Sequence, residues 1–259
     1  RMNSAYVLVD SKGSEILHRA GITASDSFIY IAADGQVPTV FFDAREYDVQ
    51  LQKIQLLKNG VWVERLEPYV GKTFSETLIA VLKKYTISEA KVSANIPFVF
   101  ARAMEEVGIQ ISIHDFESER DMKTEIELQN MIAAQRVNES VFDLVYSILS
   151  ESVIEGKSIQ YKGDILTSEY IKYRIQTHLL EQGYSCPEGI IVASGEQTAR
   201  PHDEGSGFLL ANESIIIDIF PRSEKTGFFA DMTRTFVKGK PQKSLKELFV
   251  AVQEVQKEI

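Results

Sequence analysis

Two short runs in the C-terminal half decide how this chain is read: Ser214-Ile215-Ile216-Ile217-Asp218 and Phe228-Phe229-Ala230-Asp231-Met232-Thr233. Both are rich in β-branched or aromatic residues and are separated by Pro221, Thr226 and Gly227, so they are predicted to be two strands of a hairpin with its turn near Pro221 to Thr226. Each carries one aspartate, and Asp231 follows Asp218 by thirteen residues. If the strands pair, the carboxylates can face each other across the ladder, where directly opposed side chains lie about 4.5–5.5 Å apart. Two like charges at that distance, flanked by Ile and Phe, are unfavourable unless a cation lies between them or one is protonated. Converging oxygen donors suit Mn²⁺, Mg²⁺ or another hard divalent ion. The competing reading places one or both carboxylates in solvent beside the turn.

Working outward, Ile190-Ile191-Val192 reads as a further strand, followed by the Gly- and Pro-containing loop Gly195-Glu196-Gln197-Thr198-Ala199-Arg200-Pro201-His202. A histidine held in such a loop can donate to a substrate oxygen, although lone histidines more often serve the surface or the structure. His18, His114 and His178 have no partners at metal-ligand spacing and are read as structural. Gly205-Ser206-Gly207 lacks the spacing of a nucleophile elbow, and no phosphate- or dinucleotide-binding glycine pattern occurs. The one cysteine, Cys186, precedes Pro187 in a loop and is read as an inert thiol; without a second cysteine it fits a reducing cytoplasm.

Earlier in the chain, a helix is expected from Thr167 to Glu181 with Gly183 as its stop. A long amphipathic helix precedes it, its stripe of Met122, Ile126, Met131, Val137, Val141, Leu144, Val145, Ile148 and Leu149 read as facing a core. The first 115 or so residues alternate strands and helices. Strands are expected at 28–31, 39–42, 91–94 and 109–113, and helices at 44–57, from an N-cap at Thr73 to Lys84, and at 98–106; Glu76 would complete a capping box. A charged stretch from Asp115 to Met122 marks a boundary, giving domains 1–118 and 119–259. A last amphipathic helix starts near Ser244 and still runs at Ile259, so the chain reads as a fragment. There is no internal repeat and no low-complexity tract.

Composition narrows the function further. The net charge is −9, with 37 acidic residues against 28 Lys and Arg, and no basic cluster; nucleic acid is not an expected partner. No apolar run approaches the roughly 18–20 residues of a membrane span. The first residues lack a signal peptide's apolar region, and Arg1 ahead of Met2 reads as a cloning remnant.

Ile191-Val192-Ala193-Ser194-Gly195, Pro201-His202, Ile216-Ile217-Asp218 and Asp231-Met232-Thr233-Arg234-Thr235-Phe236 together resemble the pita-bread metallopeptidases, the family of prolidase, aminopeptidase P, methionine aminopeptidase and creatinase. Lys123-Thr124-Glu125-Ile126-Glu127, leading into a helix with Arg136-Val137, is similar to the start of that family's catalytic domain. The resemblance implies an α/β (α+β) chain, with a creatinase-type N-terminal domain followed by an incomplete pita-bread domain. It also implies two divalent metal ions, manganese or cobalt, with Asp231 bridging them, Asp218 binding one, and His202 assisting the substrate. The implied parent is a cytoplasmic, homodimeric exopeptidase cleaving Xaa-Pro dipeptides or short peptides; an exposed sheet face in an incomplete fold would add to self-association. In the family a further histidine and two glutamates complete the ligand set beyond this point. This chain is therefore expected to bind little metal and to hydrolyse nothing measurable. Two departures from the pattern stand out: Phe220 in Asp218-Ile219-Phe220-Pro221 stands where the family has a glycine two residues after the first aspartate, and the two aspartates lie further apart than in the family. The alternative is a non-catalytic pita-bread protein that binds a peptide or protein partner.

Overall fold

The uninterrupted apolar runs of the N-terminal region arise because one sheet there is covered on both faces. In the computed structural model, which describes residues 3–258, the chain divides into two compact units, Arg1–Met122 and Lys123–Ile259. Arg1, Met2 and Ile259 lie outside the described residues.

The first unit runs β1 (Ser4–Asp10), α1 (Ser14–Ala20), β2 (Phe28–Ala33), β3 (Thr39–Phe42), α2 (Tyr47–Leu57), β4 (Trp62–Arg65), α3 (Phe74–Lys84), β5 (Glu89–Val92), α4 (Phe98–Glu106), β6 (Gln110–Ile113) and α5 (Phe116–Glu119). Its six strands are ordered β4-β3-β2-β1-β5-β6, antiparallel at β1/β2 and β2/β3 and parallel elsewhere. Successive strand residues point to opposite faces. Val7, Ile29, Ile31 and Phe41 therefore pack with Leu78, Val81 and Leu82 of α3 and Met104 of α4. Leu8, Phe28, Tyr30 and Phe42 pack instead with Ile16 and Ala20 of α1 and Ile54 of α2.

Strands β1 and β4 were not anticipated. β1 sits in the sheet's interior although its residues open the chain, and β4 is a half-polar edge whose Trp62 is exposed, so neither shows a clean alternation. The capping box at α3 is only half formed. The Thr73 hydroxyl accepts the Glu76 N–H at 3.2 Å, but the Glu76 carboxylate turns to the Lys72 N–H at 2.6 Å.

The second unit runs α6 (Glu125–Glu151), β7 (Val153–Glu155), β8 (Ser158–Tyr161), β9 (Asp164–Ile165), α7 (Ser168–Glu181), β10 (Tyr184–Ser185), β11 (Ile190–Ser194), β12 (Ile215–Ile219), β13 (Arg222–Ser223), β14 (Met232–Phe236) and α8 (Lys243–Glu258). α6 opens with a complete capping box, Thr124 and Glu127 each meeting the other's backbone N–H. Its C-terminal half buries Val141, Val145, Ile148 and Leu149, whereas Met122 and Ile126 at the start of the expected stripe are exposed. β11, β12 and β14 form an antiparallel sheet in that order. Its inner face packs Val192, Ile215, Ile217 and Ile219 against Ile171, Ile175 and Leu179 of α7 and the buried residues of α6. Among the described residues, no helix is long and apolar enough to cross a membrane.

Candidate active site

Alternation along β12 decides which groups can do chemistry. Ile215, Ile217 and Ile219 are fully buried, so the pleat turns Ile216 and Asp218 to the opposite face of the sheet. Asp218 pairs in register with Thr233 of β14, and Ile219 with Met232. The two aspartates are therefore not directly opposed, as the sequence had suggested. Asp231 lies just before β14, two residues from Thr233, on the same face as Asp218 and diagonal to it; such diagonal neighbours lie about 7–8 Å apart.

The connecting turn causes the offset. It falls at Glu224–Gly227 rather than earlier, closed by Gly227 N–H to Ser223 O and Ser223 N–H to Phe228 O, both 2.9 Å. Gly227 supplies the left-handed conformation there, at φ 75°. Ala230 N–H to Pro221 O at 2.9 Å carries the same register back toward the sheet.

Within this pair the charges are unequally held. The Thr233 hydroxyl donates to Asp218 Oδ1 at 2.6 Å, the partner the pleat places directly across the ladder. Asp231 sits at the exposed rim, yet partial removal from water and then the charge of Asp218 push its carboxyl up from its ordinary value. A carboxylate destabilised by a neighbouring carboxylate fits a place where a cation would be welcome. Carboxylate oxygens are the donor type that hard divalent cations take. Replacing Thr233 with valine is expected to lower stability by about 1 kcal/mol, read as a shift in urea midpoint, while Thr233→Ser retains wild-type behaviour.

His202 is presented on a tight turn. Asp203 N–H donates to Arg200 O at 3.0 Å, with Pro201 and His202 as the two central residues and the imidazole exposed. The Asp203 carboxylate closes the turn a second time, accepting from Arg200 Nε at 2.8 Å and Nη2 at 2.6 Å, and also from Gly205 N–H at 2.9 Å. These donors hold its carboxyl below the usual range, the Gly205 N–H foremost.

Beside Asp231 opens a cavity of about 690 Å³ whose walls include Leu128, Met131, Ile132, Phe220 and Phe229, with Glu188 and Gln135 at its polar points. Asp218 and His202 do not line it. The sequence reading missed both this cavity and Thr233. The first depends on α6 meeting the tip of the β12–β14 hairpin, the second on a register that only the turn fixes.

Cys186, His114 and His178 are held by burial or by internal partners. Burial pushes the Cys186 thiol up to about 11, so it is protonated and unreactive near neutrality. His114 meets Glu119 at 2.7 Å beside Arg19, and His178 meets the Ser140 hydroxyl at 2.8 Å. Among the described residues, no group of three or more His, Cys, Asp or Glu could hold a metal ion.

Comparison with known proteins identifies the fold and the family. A search of curated proteins finds no match. Among solved structures, the chain superposes on an Xaa-Pro dipeptidase from Bacillus anthracis with a TM-score of 0.79 at 17% identity, covering 98% of this chain and 66% of that one. An X-Pro aminopeptidase from Thermotoga maritima MSB8 gives 0.75 at 20% identity, with 98% and 68% covered. A prolidase from Pyrococcus horikoshii OT3 gives 0.74 at 18% identity, with 99% and 67% covered. The chain thus spans about two thirds of the length of these proteins, and it shares their fold: a creatinase-type α/β domain followed by part of the pita-bread domain. The model of metallopeptidase family M24 matches residues 100–259, more than half of the chain, and the protein belongs to that family.

Proposed function

We propose that the chain is the front part of a metal-dependent exopeptidase hydrolysing Xaa-Pro bonds, with Asp218 and Asp231 as metal ligands and His202 as the group that meets the substrate. The observation that carries this reading is the same-face pairing of the two carboxylates beside Thr233. Divalent ions, manganese or cobalt, would polarise the scissile carbonyl and activate water when bound. The protein's own groups divide the remaining work. Asp218 is oriented by Thr233, and the Asp231 carboxylate faces the cavity rim. His202 offers its imidazole N–H to a substrate oxygen. The cavity walls of Leu128, Met131, Ile132 and Phe229 suit an apolar side chain of a proline-containing dipeptide or short peptide. We assign the parent a cytoplasmic location and a homodimeric assembly.

Two carboxylates alone make a weak site, so the 259-residue chain itself is expected to bind Mn²⁺ poorly and to leave Xaa-Pro dipeptides intact. Robust Mn²⁺-dependent cleavage by this chain would overturn its assignment as inert. Sequencing the coding DNA past codon 259 tests the parent. A Gly-His-Gly segment followed by two glutamate-bearing strands supports the peptidase; a stop codon, or a continuation without those ligands, favours a non-catalytic protein that binds peptides.

A further inference from the structure

The loop that carries His202 is fastened to a helix that contributes nothing else to the site. Residues 203–207 lie across the first turn of α7. Lys172 Nζ donates to Gly205 O at 2.9 Å and stands 3.9 Å from the Glu204 carboxylate, with its side chain largely buried. The Glu169 carboxylate accepts the Gly207 N–H with both oxygens, at 2.9 and 3.2 Å, and this contact foremost holds its carboxyl down. Ser168 N–H donates to Gly207 O at 2.9 Å, and the buried Ser168 hydroxyl donates to Val192 O at 2.7 Å.

The same loop is held from the sheet side. Val192 N–H donates to Glu204 O at 2.9 Å, and Gln197 receives the Ser206 N–H while donating to Ser206 O at 3.0 Å. The segment is thus tied to β11 through Val192 and to α7 through Ser168, Glu169 and Lys172, and the Lys172 ammonium is the charged donor among these ties. A charged donor to a shielded carbonyl is among the stronger hydrogen bonds available.

We propose that Lys172 is a positioning residue for His202. By clamping Gly205 O and Glu204 to α7, it fixes the backbone that follows the Arg200–Asp203 turn, so the imidazole is presented on a pre-ordered loop and little ordering is left for substrate binding. This inference rests on the reading of His202 as the substrate-facing group.

The test is backbone amide exchange by NMR on the ¹⁵N-labelled 259-residue chain, comparing wild type with Lys172→Met, Lys172→Arg and Glu169→Gln. Lys172→Met is expected to accelerate exchange at Gly205, Ser206 and Gly207 by about tenfold while Ile217 in the sheet core is unchanged. Lys172→Arg, which keeps a charged donor, should restore most of the protection. Glu169→Gln should act mainly on Gly207. Unchanged loop exchange in Lys172→Met, or equal acceleration at Ile217, would overturn the positioning role. Adding Ala-Pro to the wild type separates this from the functional reading. A shift of the His202 ring signals supports both together, whereas loop effects without any ring shift overturn His202 as the substrate contact and leave the clamp standing.

Discussion

Substituting valine for Gly205 is expected to cost about 3 kcal/mol or more of stability and to detach the loop from β11. Gly205 adopts φ 76°, a left-handed conformation that penalises any residue with a Cβ, most of all a branched one. There is no space for that Cβ either. It would lie 1.9 Å from Val192 O, 2.5 Å from Val192 C and 2.7 Å from Ala193 Cα, all backbone atoms of a buried strand that cannot swing aside as a side-chain tip could. Gly207, two residues on, separates the two effects. Its φ is 74°, but a Cβ there meets nothing within 4 Å, so Gly207→Ala should cost only about 1 kcal/mol. The check is a urea titration of both variants following the second unit. A Gly205→Val midpoint no lower than that of Gly207→Ala would refute the steric account.

Neutralising Asp231 should have opposite consequences for stability and for metal. The folded chain raises the carboxyl of Asp231, so it binds that proton more tightly than the unfolded chain does. Stability from this group is therefore complete below the unfolded value of 3.8 and is lost as pH rises through the elevated folded value. Asp231→Asn removes both the repulsion from Asp218 and this titration. At neutral pH the variant should be slightly more stable than wild type, with the advantage fading as pH falls through the elevated folded value and gone below the unfolded value of 3.8. In the same variant, the weak Mn²⁺ response of the wild type, followed by electron paramagnetic resonance, should fall at least about tenfold. A variant that is destabilised at pH 7, or that binds Mn²⁺ as the wild type does, would remove Asp231 from the site.

These residues also mark how far the sequence could be read. The alternation Ile215-Ile216-Ile217-Asp218-Ile219 is a local property, so the strand, its buried face and the outward aspect of Asp218 could be anticipated from it. The family motif around Asp231 and His202 likewise needed no coordinates. The register did not follow, because it depends on where a four-residue turn closes, and the stretch from Pro221 to Gly227 offers several places. Start and stop residues of α4 were legible from Phe98 and Gly108, while α2 began three residues later than its apolar spacing suggested. β1 was overlooked because no clean local alternation marks this strand, which is flanked on both sides by β2 and β5. The clamp of Lys172 and Glu169 on the His202 loop was invisible for the same reason: nothing in the spacing of a helix's first turn announces which carbonyl it will meet.

The strand β12 gives alternate residues to the core and to the outward face that carries Asp218, and this restricts how that face can change. A single-residue insertion or deletion between Ile215 and Asp218 would turn the carboxylate into the packed interior and an isoleucine out toward the opening beside Asp231. The hydrophobic layer beneath the sheet thus acts as a parity check on the outer face: only changes of even length keep both in phase, and the folding energy of three isoleucines polices the placement of one acid.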